Sequence, residues 1–203
     1  MGALVQASDP VSTTRYRRRG MILLWPLLVL WSMLSLSAAA NDLIGTNLER
    51  QVKAAMLYKF LGYVEWPPES FATPVSPYVI AVAGASDVLV ELRHLITDRT
   101  VNQRPIVVQK VTSKSDLTGI HLLFVGQDNS EVLHNRLMRR AREHSVVTVT
   151  ENERGLDLGS VINFRLIEDR IGFDISLVNA GVHKLKLSAR LLAVASYVET
   201  DGS

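Results

Sequence analysis

Residues 78–96 read YVIAVAGASDVLVELRHLI. The first six are apolar and rich in β-branched side chains, the signature of a short strand. Gly84-Ala85 turns the chain, and Ser86 with Asp87 offers a cap for a helix running through Ile96. A strand, a glycine turn and a helix in so few residues is the repeating unit of an α/β protein. Working upstream, residues 47–64 (NLERQVKAAMLYKFLGYV) predict an amphipathic helix, with Val52, Ala55, Met56, Phe60 and Tyr63 at three- and four-residue steps. Pro67-Pro68 is the expected stop.

Downstream, the unit repeats. Residues 105–111 (PIVVQKV) predict a second strand and residues 121–125 (HLLFV) a third. Residues 126–129 form a turn, residues 130–143 a polar-faced helix, and residues 146–150 (VVTVT) a fourth strand. A loop with Gly155 and Gly159 follows. Residues 161–167 and 170–177 flank Glu168-Asp169 as a hairpin. In its first strand Asn163, Arg165 and Ile167 share one face, and Ile162, Phe164 and Leu166 the other. Residues 179–198 are expected to be mostly helical. Strands alternating with helices, then a late hairpin, predict a single α/β domain. Its sheet is mostly parallel or mixed, with helices on both faces and a late antiparallel hairpin.

The first forty residues read differently. Arg15, Arg17, Arg18 and Arg19 precede the apolar run of residues 21–36 (MILLWPLLVLWSMLSL), and Ser37-Ala38-Ala39-Ala40 follows. A basic region, an apolar core and small residues in an A-x-A arrangement describe a secretory signal peptide over residues 1–40, cleaved after Ala40. The alternative is a membrane anchor, but the run is shorter than the roughly 20 residues a spanning helix needs. Residues 41–203 are then one exported domain, expected in the periplasm.

The full chain of 203 residues carries 22 Lys and Arg against 20 Asp and Glu. The leader takes four of the basic residues and Asp9 with it, so the remaining domain is slightly acidic. That excludes the basic field a nucleic-acid partner would need. The chain has no cysteine, so disulfides, thiolate zinc sites and thiol catalysis are excluded.

No catalytic constellation stands out. His94, His121, His134, His144 and His183 form no ligand-spaced motif, and each reads as an ordinary surface or boundary histidine; no metal or cofactor is expected. Gly84, between a strand and a helix, suits either an anion at backbone N–H groups or a tight turn; residues 126–130 pose the same choice. Neither G-x-G-x-x-G, G-x-S-x-G nor a nucleophile–base pair is present, so no enzyme activity is expected. Glu65-Trp66-Pro67-Pro68 makes Trp66 either a side chain packed against the sheet or an exposed anchor. In the second case Tyr63, Glu65 and Trp66 are partner contacts. Arg165, Arg170, His183 and Arg190 are the candidate contacts for an anionic or ring-bearing ligand. Their alternative is a solvated charged face.

Lys53-Ala54-Ala55-Met56-Leu57-Tyr58-Lys59-Phe60, then Tyr63-Val64-Glu65-Trp66-Pro67, resembles the opening motif of the YfiR/HmsC family of periplasmic proteins. The likeness continues in order. It runs through residues 78–84, through Arg104-Pro105-Ile106-Val107-Val108, and through residues 121–126 as an H-x-L-F segment. Residues 155–164 follow as a glycine-rich loop and strand, then residues 170–177 and 185–192 (LKLSARLL). The resemblance implies a non-enzymatic periplasmic repressor of a membrane-bound diguanylate cyclase, acting by binding the cyclase's exported sensor region. It also implies an outer-membrane lipoprotein that titrates the repressor, and a homodimer. The alternative function is a periplasmic small-molecule-binding module serving a transporter or sensory receptor. Ile120 stands where many members carry Cys, so redox control through cysteines has no counterpart here.

Overall fold

Apolar strands buried from both sides dominate the centre of the molecule. Tyr78–Ala83 (β2), Leu122–Val125 (β5) and Val147–Thr150 (β6) are buried almost throughout. The computed structural model describes residues 46–127 and 131–200, together with Gly2. Apart from Gly2, the expected leader and its cleavage point after Ala40 lie outside the described residues.

A helix over 46–60 (α1) opens the described domain. It leads to Val64–Glu65 (β1), a 3-10 turn Pro68–Ser70, β2, and Ser86–Leu95 (α2). Thr100–Val101 (β3), Arg104–Lys110 (β4), β5, Glu131–Ala141 (α3) and β6 follow. Ile162–Ile167 (β7) and Arg170–Ser176 (β8) form the hairpin. The chain closes with Leu177–Val182 (α4), Lys186–Leu187 (β9), Ala189–Ala193 (α5) and Tyr197–Glu199 (β10).

Eight strands make the main sheet in the order β10-β8-β7-β6-β5-β2-β4-β3. The five from β4 to β7 are parallel to one another, while β3 pairs with β4 antiparallel. In chain order they run second, first, third, fourth, fifth, the flavodoxin-like arrangement of a doubly wound sheet. β8 returns antiparallel to β7, with Ile167 opposite Arg170. Glu168 and Asp169 take left-handed φ of 48° and 59°, as a two-residue hairpin turn requires. The mixed sheet with a late antiparallel hairpin is therefore the predicted one.

The period of two divides the core. Ile80, Val82, Leu122, Phe124, Val147, Val149, Ile162 and Phe164 face α1 and α2 in one cluster. Ala81, Ala83, Leu123 and Val125 face Leu137, Met138 and Ala141 of α3 in the other. Helices cover both faces, as predicted.

Four local expectations change. First, α1 ends at residue 60, before the prolines, because Gly62 and Tyr63 close a turn onto the Lys59 and Phe60 carbonyls. The chain then pairs as β1 with β9, antiparallel. Its buried stripe is Ala54, Leu57, Phe60, Leu61 and Val64, rotated from the predicted one, and Tyr63 is exposed. Second, the N-cap of α2 is Ala85 rather than Ser86, with no side-chain cap bond. Third, residues 179–198 are not mostly helical. Ser176 and Ser188 cap two short helices, while β9 and β10 find pairing partners in β1 and β8. Sheet partners distant in sequence override a helical pattern here. Fourth, Leu166 does not share the burial of Ile162 and Phe164: it is 65% exposed, because the hairpin tip runs past its covering layers.

Candidate functional site

In a sheet of this order the crevice lies at the C-terminal ends of the first and third parallel strands. Here those ends are Gly84 after β2 and Gly126 after β5. A Cβ on Gly126 would lie 2.4 Å from the Gly84 carbonyl oxygen and 2.7 Å from the Ala85 Cβ, so only glycine allows the two backbones this approach.

Three charged side chains meet at the crevice. Lys53, one of the few polar residues on the buried stripe of α1, forms ion pairs with Glu49 one turn earlier and with Glu151 just after β6. The Lys53 and Glu151 side chains are each only 11% exposed. Burial works against the Lys53 charge, but the hydrogen bonds and charges of Glu151 and Glu49 outweigh it and hold its pKa above the usual lysine value. The Gln127 N–H donates to Glu151 Oε1 at 2.9 Å, and the Gln127 side-chain amide donates to the Glu151 carbonyl at 3.0 Å. Arg50 approaches Asp87 at 3.8 Å, linking α1 to the first turn of α2.

A cleft of about 230 Å³ at Gly84, Ala85 and Asp87 reaches Glu151, and two larger ones open beside it. One, of about 530 Å³, is lined by Gln127, Glu131, His134, Asn152, Glu153 and Arg154, among others. The other, of about 470 Å³, lies between Lys53 and the apolar Phe164, Leu166 and Ile171, with Arg165 at its wall. Beneath them, buried Asn163 sits 2.7 Å from Thr150 Oγ1 and accepts from the Asn152 N–H. A Cβ on Gly155 would reach to 2.2 Å from Asn163 Oδ1, so the glycine-rich loop closes over this polar floor by having no side chain there.

A second hub surrounds His121, which is 3% exposed. Its Nδ1 accepts the Val79 N–H at 3.2 Å, and its ring stacks on Phe71 with centroids 4.4 Å apart. Trp66 and Tyr78 approach the same ring edge-on. Burial is the main cause that pushes the His121 pKa down to about 4, so the ring is neutral. His134 and His183 are also buried, with pKa values lowered chiefly by burial. The expectation of five surface or boundary histidines is thus corrected at these three. Each is buried, and the neutral imidazole is the form that burial favours.

The predicted partner contacts lie together at the end of α1. Tyr63 is 37% exposed, and Glu65 is exposed on β1 opposite Lys186. Trp66 is half-buried. Its indole N–H donates to the His121 carbonyl at 3.2 Å, and its ring packs on Tyr78.

The predicted ligand contacts do not converge. Arg165 and Arg170 share one sheet face of the hairpin by register. Arg165 lies 3.4 Å from Asp174, whose pKa burial raises while Arg165 lowers it. His183, 1% exposed, sits at the opposite end of the sheet with Nδ1 3.3 Å from the His144 carbonyl. Arg190 is exposed on α5, whose Leu191 packs in the core layer of α1 and α2. Among the described residues no group of three or more His, Asp or Glu is placed to hold a metal ion.

Sequence reasoning missed the Lys53–Glu151 pair. The two residues stand 98 positions apart, beyond any local pattern. The one local sign was a lysine spaced four and seven residues before Leu57 and Phe60 on the helix.

The profile of the family described as YfiR/HmsC-like matches residues 50–196. No curated protein matches the chain.

Proposed function

We propose, from the premise that this chain belongs to the YfiR/HmsC-like family, that it represses a membrane-bound signalling enzyme, a diguanylate cyclase, by binding that enzyme's exported sensor region. The family is regulatory rather than catalytic, and its members are periplasmic. Among the described residues no helix is long and apolar enough to cross a membrane. The observation that carries the reading is the family match, which extends from within α1 to the residue before β10. The geometry supports it in one respect: the interior amides are spent on internal bonds, Asn163 on Thr150 and Asn152, Asn179 on the Leu156 and Ser160 carbonyls.

Repression by occlusion needs only a surface that prefers the inactive state of its target. Tyr63, Glu65 and the outer edge of Trp66 form the candidate contact, at a rim held by β1 and β9. The test is deletion of the gene with measurement of cyclic-di-GMP and surface attachment. Both should rise, and the exported protein should restore them while a form blocked from export should not. Unchanged cyclic-di-GMP on deletion, with no binding of the purified protein to a sensor region, would overturn the proposal.

A further inference from the structure

The sequence from Pro67 to Pro77 (PPESFATPVSP) has four prolines among eleven residues. Proline has no N–H to give a sheet, so this stretch runs as a strap outside the ladder. Among the described residues its main-chain bonds are internal. The Ser70, Phe71 and Ser76 N–H groups donate to the Pro67, Pro68 and Thr73 carbonyls. Side chains of the body hold the strap instead. Arg104 on β4 donates to the Thr73 and Ser76 carbonyls at 3.1 and 2.8 Å, and its guanidinium lies 4.0 Å from the centre of the Phe71 ring. Phe71 stacks on His121, and Tyr78 meets both rings edge-on. At the start of the strap Trp66 packs on Tyr78 and His121, and its N–H donates to the His121 carbonyl.

His121 is the centre of this clasp, and its place suits only the neutral ring. Nδ1 accepts the Val79 N–H of β2, so a second ring proton would set N–H against N–H. The groups around it offer a cation no counter-charge. Arg104 on β4 is itself positive, Tyr78 on β2 presents its ring, and Glu69 on the strap is exposed. Among the described residues no carboxylate acts on the ring. Burial holds its pKa down to about 4; Arg104 adds to this, while the main chain of Ser70 and Gly119 works against it. A ring freed into water would take its proton near 6.5, so every step down in pH between the two values favours the open form. The walls of the site are unequal. β2, β5 and β6 are bound into the sheet on the body side, and the strap is not. The strap is therefore the wall that yields first.

We propose that the segment from Trp66 to Pro77 is an acid-released strap: protonation of His121 opens it from β2 and β4 while the sheet stays folded. Opening uncovers Phe71, Tyr78 and His121 and frees Trp66 at the rim beside Tyr63 and Glu65. The inference concerns the mobility of this strap and does not rest on the regulator reading.

Trp66 is the one tryptophan of residues 41–203, so it reports on the strap directly. The test is an acid titration of the purified mature protein. Solvent access to Trp66 is read by acrylamide quenching and emission wavelength, and the fold by far-UV circular dichroism. Below about pH 5, inside the window set by His121, Trp66 should become accessible and red-shifted while the circular dichroism stays native. In H121N the amide oxygen can still accept the Val79 N–H but does not titrate, so the Trp66 step should disappear. R104M removes a neighbouring cation and both carbonyl bonds, and should move the step up by about one pH unit. The R104M arm decides the matter if H121N does not fold. A Trp66 step that coincides with loss of circular dichroism, no step before unfolding, an unchanged step in H121N, or an unmoved one in R104M would each overturn the proposal.

Discussion

At the scale of single residues, burial decides more than identity. His121 is held neutral inside the molecule, with its pKa near 4 against an ordinary value of 6.5. The unfolded chain therefore binds a proton between these values that the folded chain does not, so stability rises with pH across this window and falls as pH drops from 6.5 to 4. His134 and His183 are shifted in the same direction and add to the loss. Denaturant titrations at pH 7 and pH 5 should differ by on the order of 2 kcal/mol from His121 alone. In H121F that part of the pH dependence should vanish, although the Val79 N–H then loses its acceptor. A wild-type stability that is flat from pH 7 to pH 5 would contradict the buried neutral ring. None of this was legible in the sequence, where a histidine opening an apolar strand looks like a boundary residue. Its environment is assembled from Trp66, Phe71 and Tyr78, contributed from up to 55 positions away.

At the scale of elements, alternation was legible and its extent was not. The strand period placed Phe164 on the core side, where it packs against Phe60 and Phe124. It also placed Leu166 there, and Leu166 lies in the open at the hairpin tip. Phe164→Ala should therefore cost about 3–5 kcal/mol, while Leu166→Ala should stay within about 0.5 kcal/mol. The denaturant midpoints of the two variants provide the check, and equal losses would mean that the tip is covered in solution. The C-terminal segment makes the same point. Its leucines mark a helical pattern, but Tyr197–Glu199 runs as a strand because the edge of β8 is there to receive it. Local sequence records which face is apolar. It does not record where the neighbouring layer stops.

At the scale of the whole molecule, export and fold can be tested together. The arginine cluster, the apolar run and Ala38–Ala40 predict a mature chain beginning at Asn41 in the periplasm. N-terminal sequencing of the fractionated protein checks this, and an uncut cytoplasmic chain would remove the basis for the regulator reading. The sequence by itself determined the α/β class, the mixed sheet, the hairpin and its turn, and the family. These follow from periodicities and ordered motifs that span a few residues at a time, and local sterics and burial enforce them. Only the tertiary structure decided the strand order and, with it, the switch point. It alone brought Lys53 of α1 against Glu151, and it separated His183 and Arg190 from the two hairpin arginines. The reason is physical. Which parallel strands become neighbours, and which charges meet at their ends, depends on contacts between segments far apart in the chain, and pairwise burial sets these only once the layers have closed.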